Sequence, residues 1–154
     1  MSLADQLADV RACVLQAASR DAVLQAAAGW LACEQAGADA LHASLQAREQ
    51  LGSTAIGHGI AIPHGRSAAL EAARGVLLRL EPAVDFDAAD GEAVDLVFAM
   101  AVPDHYTHQH LMVLSELAER FSRPEFRDAL RNAADASAMR SLLLDDTHLP
   151  KIAA

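Results

Sequence analysis

Apolar and polar residues recur along this chain with two different periods, and the change of period divides it into three stretches. The first is helical. Ser19 or Asp21 can cap a helix running to about Gln35, with Val23, Ala27, Trp30 and Leu31 on one stripe and Gly37 as its stop. Asp39 can cap a second helix to about Leu51, closed by Gly52, whose apolar face is Leu41, Leu45 and Leu51. Ahead of both, "ACVLQA" at 12–17 fits either a short strand or a helical turn.

The middle stretch reads as strands. A turn leads into a short strand at Gly59–Ile62, and Pro63 removes a donor and forces Ile62 to be extended. "GVLLRL" (Gly75–Leu80) is a second strand, and "AVDFDAADGEAVDLVFAMAV" predicts a hairpin turning at Ala89–Gly91. Val94–Val102 is almost wholly apolar, as a strand covered on both faces would be, and Pro103 ends it.

Three helices should follow. Thr107 can cap the first, with Leu111, Leu114, Leu117, Ala118 and Phe121 inward. The second starts near Pro124 and buries Phe126, Ala129 and Leu130. Asp135 caps the third, with Met139, Leu142 and Leu143 inward, and "DDTHLPKIAA" reads as a frayed tail. Helices before and after a strand cluster predict an α/β fold: a single domain, with a mixed β-sheet flanked by helices on both faces.

Composition narrows the function classes. At 154 residues and 53% hydrophobic, the chain can bury a core of its own. No stretch reaches the roughly 18 consecutive apolar residues of a membrane span, and the N-terminus lacks the pattern of a secretory signal, so a cytoplasmic address is expected. A formal net charge of -9 speaks against nucleic acid and against anionic membranes. Cys13 and Cys33 lie twenty positions apart, which is no metal or redox spacing, and are expected as buried free thiols.

Against that acidic background, "REQLGSTAIGHGIAIPHGRS" (Arg48–Ser67) has no acidic residue after Glu49. Arg48 falls on the apolar face of its helix, where a charge is costly without a partner. An ordinary explanation is that it snorkels to water. His64 follows the rigid Ile62–Pro63 step, Gly65 lets the chain turn, and Gly57 and Gly59 let a backbone or ligand come close. A rigidly mounted imidazole beside open backbone suits a nucleophile, although a strand-end histidine with one ordinary hydrogen bond reads the same way.

"HYTHQH" (His105–His110) suggests a metal, yet His108 and His110 are only two apart, a poor spacing for one helix face, and no HExxH pattern occurs. With Thr107 as cap, His110 is the third residue of its helix, near the positive end of the dipole, where a neutral imidazole and a nearby anion are favoured. Walker-type, dinucleotide and GxSxG motifs are absent.

The segment Arg48–Ser67 resembles the signature of the enzyme IIA domains of the fructose–mannitol class in the bacterial phosphoenolpyruvate-dependent phosphotransferase system. "VDLVFAMAVPDHYTHQHLMVLSELAERF" (94–121) resembles the second signature of that family, and the likeness runs from about Ser19 to Leu144. It implies one enzyme IIA type-2 domain with the mannitol-type fold. It also implies a phosphoryl carrier at His64 (on the tele nitrogen, Nε2), an arginine supporting the phosphate at Arg48, and a histidine beside the carrier at His110.

The donor would be a small histidine phosphocarrier protein, with no metal and no organic cofactor. The stand-alone length and "GIAIPHGR" resemble the nitrogen-regulatory branch, which implies regulatory target proteins. His58 departs from the polar residue that branch often carries there. A sugar-specific component passing phosphate to a permease, and a binding module merely switched by phosphorylation, are the alternatives within this resemblance. A metal-dependent hydrolase using the histidine cluster is the alternative outside it. The roles of His58, His105 and His108 stay open.

Overall fold

In the computed structural model, residues 3–105 and 108–145 are described. Six strands form one sheet: β1 (Asp9–Leu15), β2 (Ala55–Gly57), β3 (Ile60–Ala61), β4 (His64–Ser67), β5 (Arg74–Val84) and β6 (Val94–Pro103). Among the described residues six helices pack on it: α1 (Leu3–Gln6), α2 (Arg20–Leu31), α3 (Ala38–Gln50), α4 (His108–Phe121), α5 (Pro124–Asn132) and α6 (Ala136–Leu144). The strand order is β1-β5-β6-β3-β2, with β4 also paired to β6. β5 and β6 form an antiparallel hairpin whose first arm is the Gly75–Leu80 strand extended to Val84, not a separate strand after Ala83 as expected, whereas β3 and β4 run parallel to β6 on its other side, so the sheet is mixed.

The apolar run of β6 is explained by the period of two along a strand. Val97, Ala99 and Ala101 face the α2–α3 layer, with Val23, Leu24, Ala27, Leu41 and Leu45. Leu96, Phe98 and Met100 face the layer of α1, α4, α5 and α6, with Leu3, Val113, Leu117, Phe126 and Met139. Both faces of β6 are therefore core, and no position in the run could be polar without a buried partner.

Several boundaries follow the expected chemistry. Ser19, not Asp21, caps α2 by accepting from the Ala22 amide. Asp135 caps α6 in the same way through the Ala138 amide, and Pro124 stands in the first turn of α5. The stretch at 12–17 falls in strand β1 as far as Leu15. Thr107, expected to cap α4, and the tail from residue 146 lie outside the described residues.

Other expectations need correction. α2 ends at Leu31 rather than Gln35, because Ala32 turns to extended backbone, and Gly37 starts α3 instead of stopping α2. Asp39 lies in the first turn of α3 and is not its cap. Leu51 is 85% exposed; the inward face of α3 continues from Leu41 and Leu45 to Glu49. On α4 the inward stripe is His110, Val113, Leu117, Arg120 and Phe121, while Leu111 is 64% exposed and Ala118 faces solvent. Of the expected stripe, Leu117 and Phe121 are buried and Leu114 packs on the core, so only Leu111 and Ala118 depart from it; an aliphatic count leaves out His110 and Arg120. Arg120 belongs inside because its guanidinium donates to Glu116 and to the backbone carbonyls of Leu143 and Asp145. The two cysteines are free but only half-buried.

Candidate functional site

Three separate segments bring Arg48, His64 and His110 together. Arg48 comes from the last turn of α3, and its guanidinium spans two acceptors. Nη1 donates to the Gly52 carbonyl at 2.8 Å, and Nε donates to Nε2 of His64 at 3.2 Å. Arg48 thus does not simply snorkel to water: a histidine nitrogen is its partner.

His64 opens β4 immediately after Pro63. The Ile62–Pro63 step breaks the pairing along β6, since Pro63 has no N–H and the Ile62 amide donates instead to the Thr54 carbonyl at 3.0 Å. Pairing resumes at His64↔Met100. The interruption leaves the His64 ring at the edge of the sheet, half-buried. Gly65 is needed for close approach: a Cβ there would lie 2.6 Å from Ser44 Oγ and 3.2 Å from the Leu45 amide nitrogen. Ser44 Oγ fixes that contact by donating to the Arg66 carbonyl and accepting from the Arg66 amide.

The hydrogen bonds of His64 decide its tautomer. Its Nδ1 lies 2.9 Å from the Ile62 carbonyl. A carbonyl can only accept, so Nδ1 carries the proton. The Arg48 guanidinium can only donate, so Nε2 presents its lone pair. Burial lowers the pKa of His64 below the usual histidine value, and the neighbouring Arg48 cation lowers it further, against the opposing pull of the Ile62 carbonyl. The ring is neutral at pH 7, with a lone pair on Nε2.

His110 is the third residue of α4, as counted from the sequence, and only 7% exposed. Its ring centroid lies 5.0 Å from that of His64, tilted by 56°. Its Nδ1 is buried and has no hydrogen-bond partner among the described residues. Burial, then the neighbouring His64 and Arg66, push its pKa down to about 4. A proton on the neutral ring is better placed on Nε2 than on the unpartnered Nδ1.

Arg48 and His64 separate two shallow depressions. One, of about 360 Å³, is also lined by Leu51, Gly65, Arg66 and His110. The other, of about 240 Å³, is also lined by Thr54, Ile56, Ile62 and Leu114. Neither lining contains a carboxylate, in a chain of net charge -9. Two guanidinium groups and two neutral imidazoles around one space favour an anion.

The glycine-rich turn does not contribute as expected. Gly57, His58 and Gly59 all have positive φ, but the His58 amide donates to the Asp90 carboxylate. A Cβ on Gly59 would meet Arg131 Nη2 at 2.7 Å and Asp95 Oδ1 at 2.8 Å. The turn is held by a structural cluster of Asp90, Asp95 and Arg131. Among the described residues, no three His, Cys, Asp or Glu side chains converge as metal ligands.

Residues that sequence reasoning passed over are Arg66, Ser44, Glu49 and Thr54. Arg66 carried a signal, as a second cation two positions after His64. Glu49 carried a weaker one, lying four residues after Leu45 on the inward face of α3.

The sheet thus combines an antiparallel hairpin with flanking parallel strands, and a lone-pair-bearing histidine is held by an arginine at its edge. Residues 8–146 match the family described as "Phosphoenolpyruvate-dependent sugar phosphotransferase system, EIIA 2", and the chain belongs to that family. It is 41% identical over 129 residues to a protein named "Nitrogen regulatory protein" from Pseudomonas aeruginosa, covering 82% of this chain and 84% of that one. The similarly named Escherichia coli protein is 41% identical over 107 residues, covering 67% and 64%.

Among solved structures, the nitrogen regulatory protein IIA-Ntr from Neisseria meningitidis superposes with a TM-score of 0.82 at 37% identity, covering 87% of this chain and 92% of that one. IIA mannitol from Escherichia coli superposes with a TM-score of 0.68 at 20% identity, covering 86% and 95%, and shares the fold. Within the family, the chain fits the nitrogen-regulatory branch. No helix among the described residues is long and apolar enough to cross a membrane.

Proposed function

We infer that this chain is a cytoplasmic histidine phosphocarrier, in which His64 Nε2 accepts a phosphoryl group from a small phosphocarrier protein and the phosphorylation state acts in nitrogen-related regulation. The observation that carries this reading is the pair of hydrogen bonds on His64, which leaves Nε2 as the unprotonated, lone-pair nitrogen facing Arg48.

In the transfer, the N–P bond of the donor's phosphohistidine breaks and its electron pair stays on the donor nitrogen, while the Nε2 lone pair forms the new N–P bond. The Nδ1 proton stays on His64, held by the Ile62 carbonyl, so no proton has to leave the acceptor. Phosphoryl transfer depends mainly on alignment and on neutralising the equatorial oxygens. Arg48 leaves the Nε2 lone pair as the bond forms and offers its fork to the phosphoryl oxygens, keeping Gly52 as its anchor. His110 supplies a neutral N–H donor, and Arg66 a second cation. Leu51 and Ile56 stand exposed where they line the two depressions, which suits docking of a protein donor. The reading invokes no metal and no organic cofactor.

The nitrogen-regulatory branch is favoured by a relative of that name that is 41% identical over 129 residues and matched along 84% of its length, whereas a sugar-specific EIIABC component is 36% identical over 100 residues and matched along 15% of its length. Regulatory target proteins would read the state of His64. The test is incubation with phosphoenolpyruvate, enzyme I and the small phosphocarrier, followed by intact-mass analysis. One added phosphoryl group, mapped to His64, is expected; an unchanged mass would sink the reading.

A further inference from the structure

Glu49 follows Arg48 on α3 and is buried, 5% exposed. Its carboxylate accepts from the Thr54 amide at 2.9 Å and from Thr54 Oγ1 at 2.6 Å. Arg20 stands 3.8 Å away and is itself held by the Phe86 carbonyl. A carboxylate in this position is tolerable because both its oxygens are satisfied and a cation is near.

The bonds do not stop at Thr54. Its carbonyl accepts from the Ile62 amide at 3.0 Å. The Ile62 carbonyl accepts from His64 Nδ1 at 2.9 Å, and His64 Nε2 accepts from Arg48 Nε at 3.2 Å. Arg48 Nη1 returns to the Gly52 carbonyl, and the Gly52 amide donates to the Glu49 carbonyl at 3.2 Å. The circuit closes on the residue where it began.

Its position matters because of Pro63. The Ile62–Pro63 peptide offers no N–H to β6, and the sheet holds this step only beyond the proline, where the Pro63 carbonyl accepts from the Met100 amide at 2.9 Å. Ile62's own amide is turned to Thr54. The carbonyl that holds the His64 proton thus lies between two anchors, β6 after Pro63 and Thr54 before it, and Thr54 is held by Glu49.

We propose that Glu49 and Thr54 are positioning residues, a clasp that fixes the Nδ1–H tautomer and the ring orientation of His64 through the Ile62 peptide. The proposal rests on the phosphocarrier reading for its kinetic consequence, but its structural consequence can be measured without any phosphoryl donor. Loosening the clasp lets the Ile62 carbonyl swing, and the ring then samples both tautomers and a wider range of angles. A misplacement of about 1 Å costs on the order of a hundredfold in a reaction governed by alignment; partial loosening should cost about tenfold or more.

The experiment compares the full chain with Glu49→Ala, Glu49→Gln, Thr54→Val and Thr54→Ser. Ring ¹⁵N chemical shifts of His64 report the tautomer in the unphosphorylated protein. Single-turnover transfer from phosphorylated donor, at several donor concentrations, separates the maximal rate from the apparent donor affinity. Glu49→Ala should move the ¹⁵N pattern toward a mixture of tautomers and lower the maximal rate by about tenfold or more, with donor affinity unchanged. Glu49→Gln keeps an acceptor for the Thr54 amide and a donor for Oγ1, so it should restore the ¹⁵N pattern and most of the rate. Thr54→Val should shift both readouts in the direction of Glu49→Ala, and Thr54→Ser should not.

A folded Glu49→Ala protein with the wild-type ¹⁵N pattern and rate overturns the proposal. So does an equal loss of rate in Glu49→Ala and Glu49→Gln with the tautomer unmoved, which marks a clasp that only closes the turn. Should Glu49→Ala fail to fold, the near-isosteric pair Thr54→Val and Thr54→Ser tests the clasp on the same two readouts: equal behaviour of the two overturns it. Should the wild type take up no phosphoryl group, the phosphocarrier reading fails, and the clasp stands or falls on the ¹⁵N pattern alone.

Discussion

Arg48→Lys separates the guanidinium fork from the positive charge. In the wild type one side chain makes two directed bonds, to His64 Nε2 and to the Gly52 carbonyl. A lysine ammonium is a point charge that can satisfy one of these and not both. At rest the loss is small. His64 Nε2 borders open depressions where water can replace Arg48, so the net cost to stability is that of one ordinary hydrogen bond, about 1 kcal/mol. In a chain of this size that moves Tm by no more than about 4 °C.

In transfer the loss is larger, because the fork meets developing charge on the phosphoryl oxygens. A hydrogen bond to a charged group is worth roughly 1.5–3 kcal/mol, which slows transfer by about one to two powers of ten. The assay is a single-turnover time course by intact mass, with excess phosphorylated donor, and a thermal melt in parallel. Arg48→Lys should still become fully phosphorylated, slowly, and melt close to the wild type. Transfer within about twofold of the wild-type rate would refute the fork, since that corresponds to under about 0.5 kcal/mol. A large fall in Tm would show that Arg48 serves mainly the fold.

Further consequences can be checked with the same materials. His64→Ala should take up no phosphoryl group, whereas His110→Ala should react more slowly and still at His64; phosphoryl mapped to His110 or His58 in His64→Ala would overturn the assignment of the nucleophile. His110 and His64 have lowered pKa values in the fold, so the folded state binds fewer protons than the unfolded one as the pH falls. Their contribution is complete above the ordinary value of 6.5 and is lost as the pH falls through each lowered folded value, about 4 for His110. For His110 that loss is on the order of 3 kcal/mol, so His110→Asn should melt with a shallower dependence on pH between 6.5 and 4 than the wild type; identical slopes would contradict it. Gly75→Ala places a Cβ against the ring of Phe98, which is fully buried, so denaturant unfolding should show a loss of about 1–3 kcal/mol.

The features legible in the residues alone are those that depend on local chemistry. The run Val94–Val102 pointed to a strand covered on both faces, because nine nearly uninterrupted apolar positions are costly on a surface and Pro103 closes the run at strand length. Ser19, Asp135 and Pro124 marked helix starts because capping acts within one turn. "REQLGSTAIGHGIAIPHGRS" pointed to His64 and Arg48, and "QHL" to His110, through a family likeness rather than through any distance.

Relations between segments far apart in the chain took shape only in the assembled fold. The inward stripe of α4 takes in two polar residues, His110 and Arg120, that a count of aliphatic side chains leaves out. The glycine-rich turn at 57–59 looked like part of the site, but Asp90, Asp95 and Arg131, far from it in sequence, take it elsewhere. The state of His64 is decided in the same way. Nothing in the local sequence says which ring nitrogen holds the proton; that depends on the direction of the Ile62 carbonyl and a guanidinium delivered from α3, and hydrogen-bond direction is a property of assembled geometry, not of residue order.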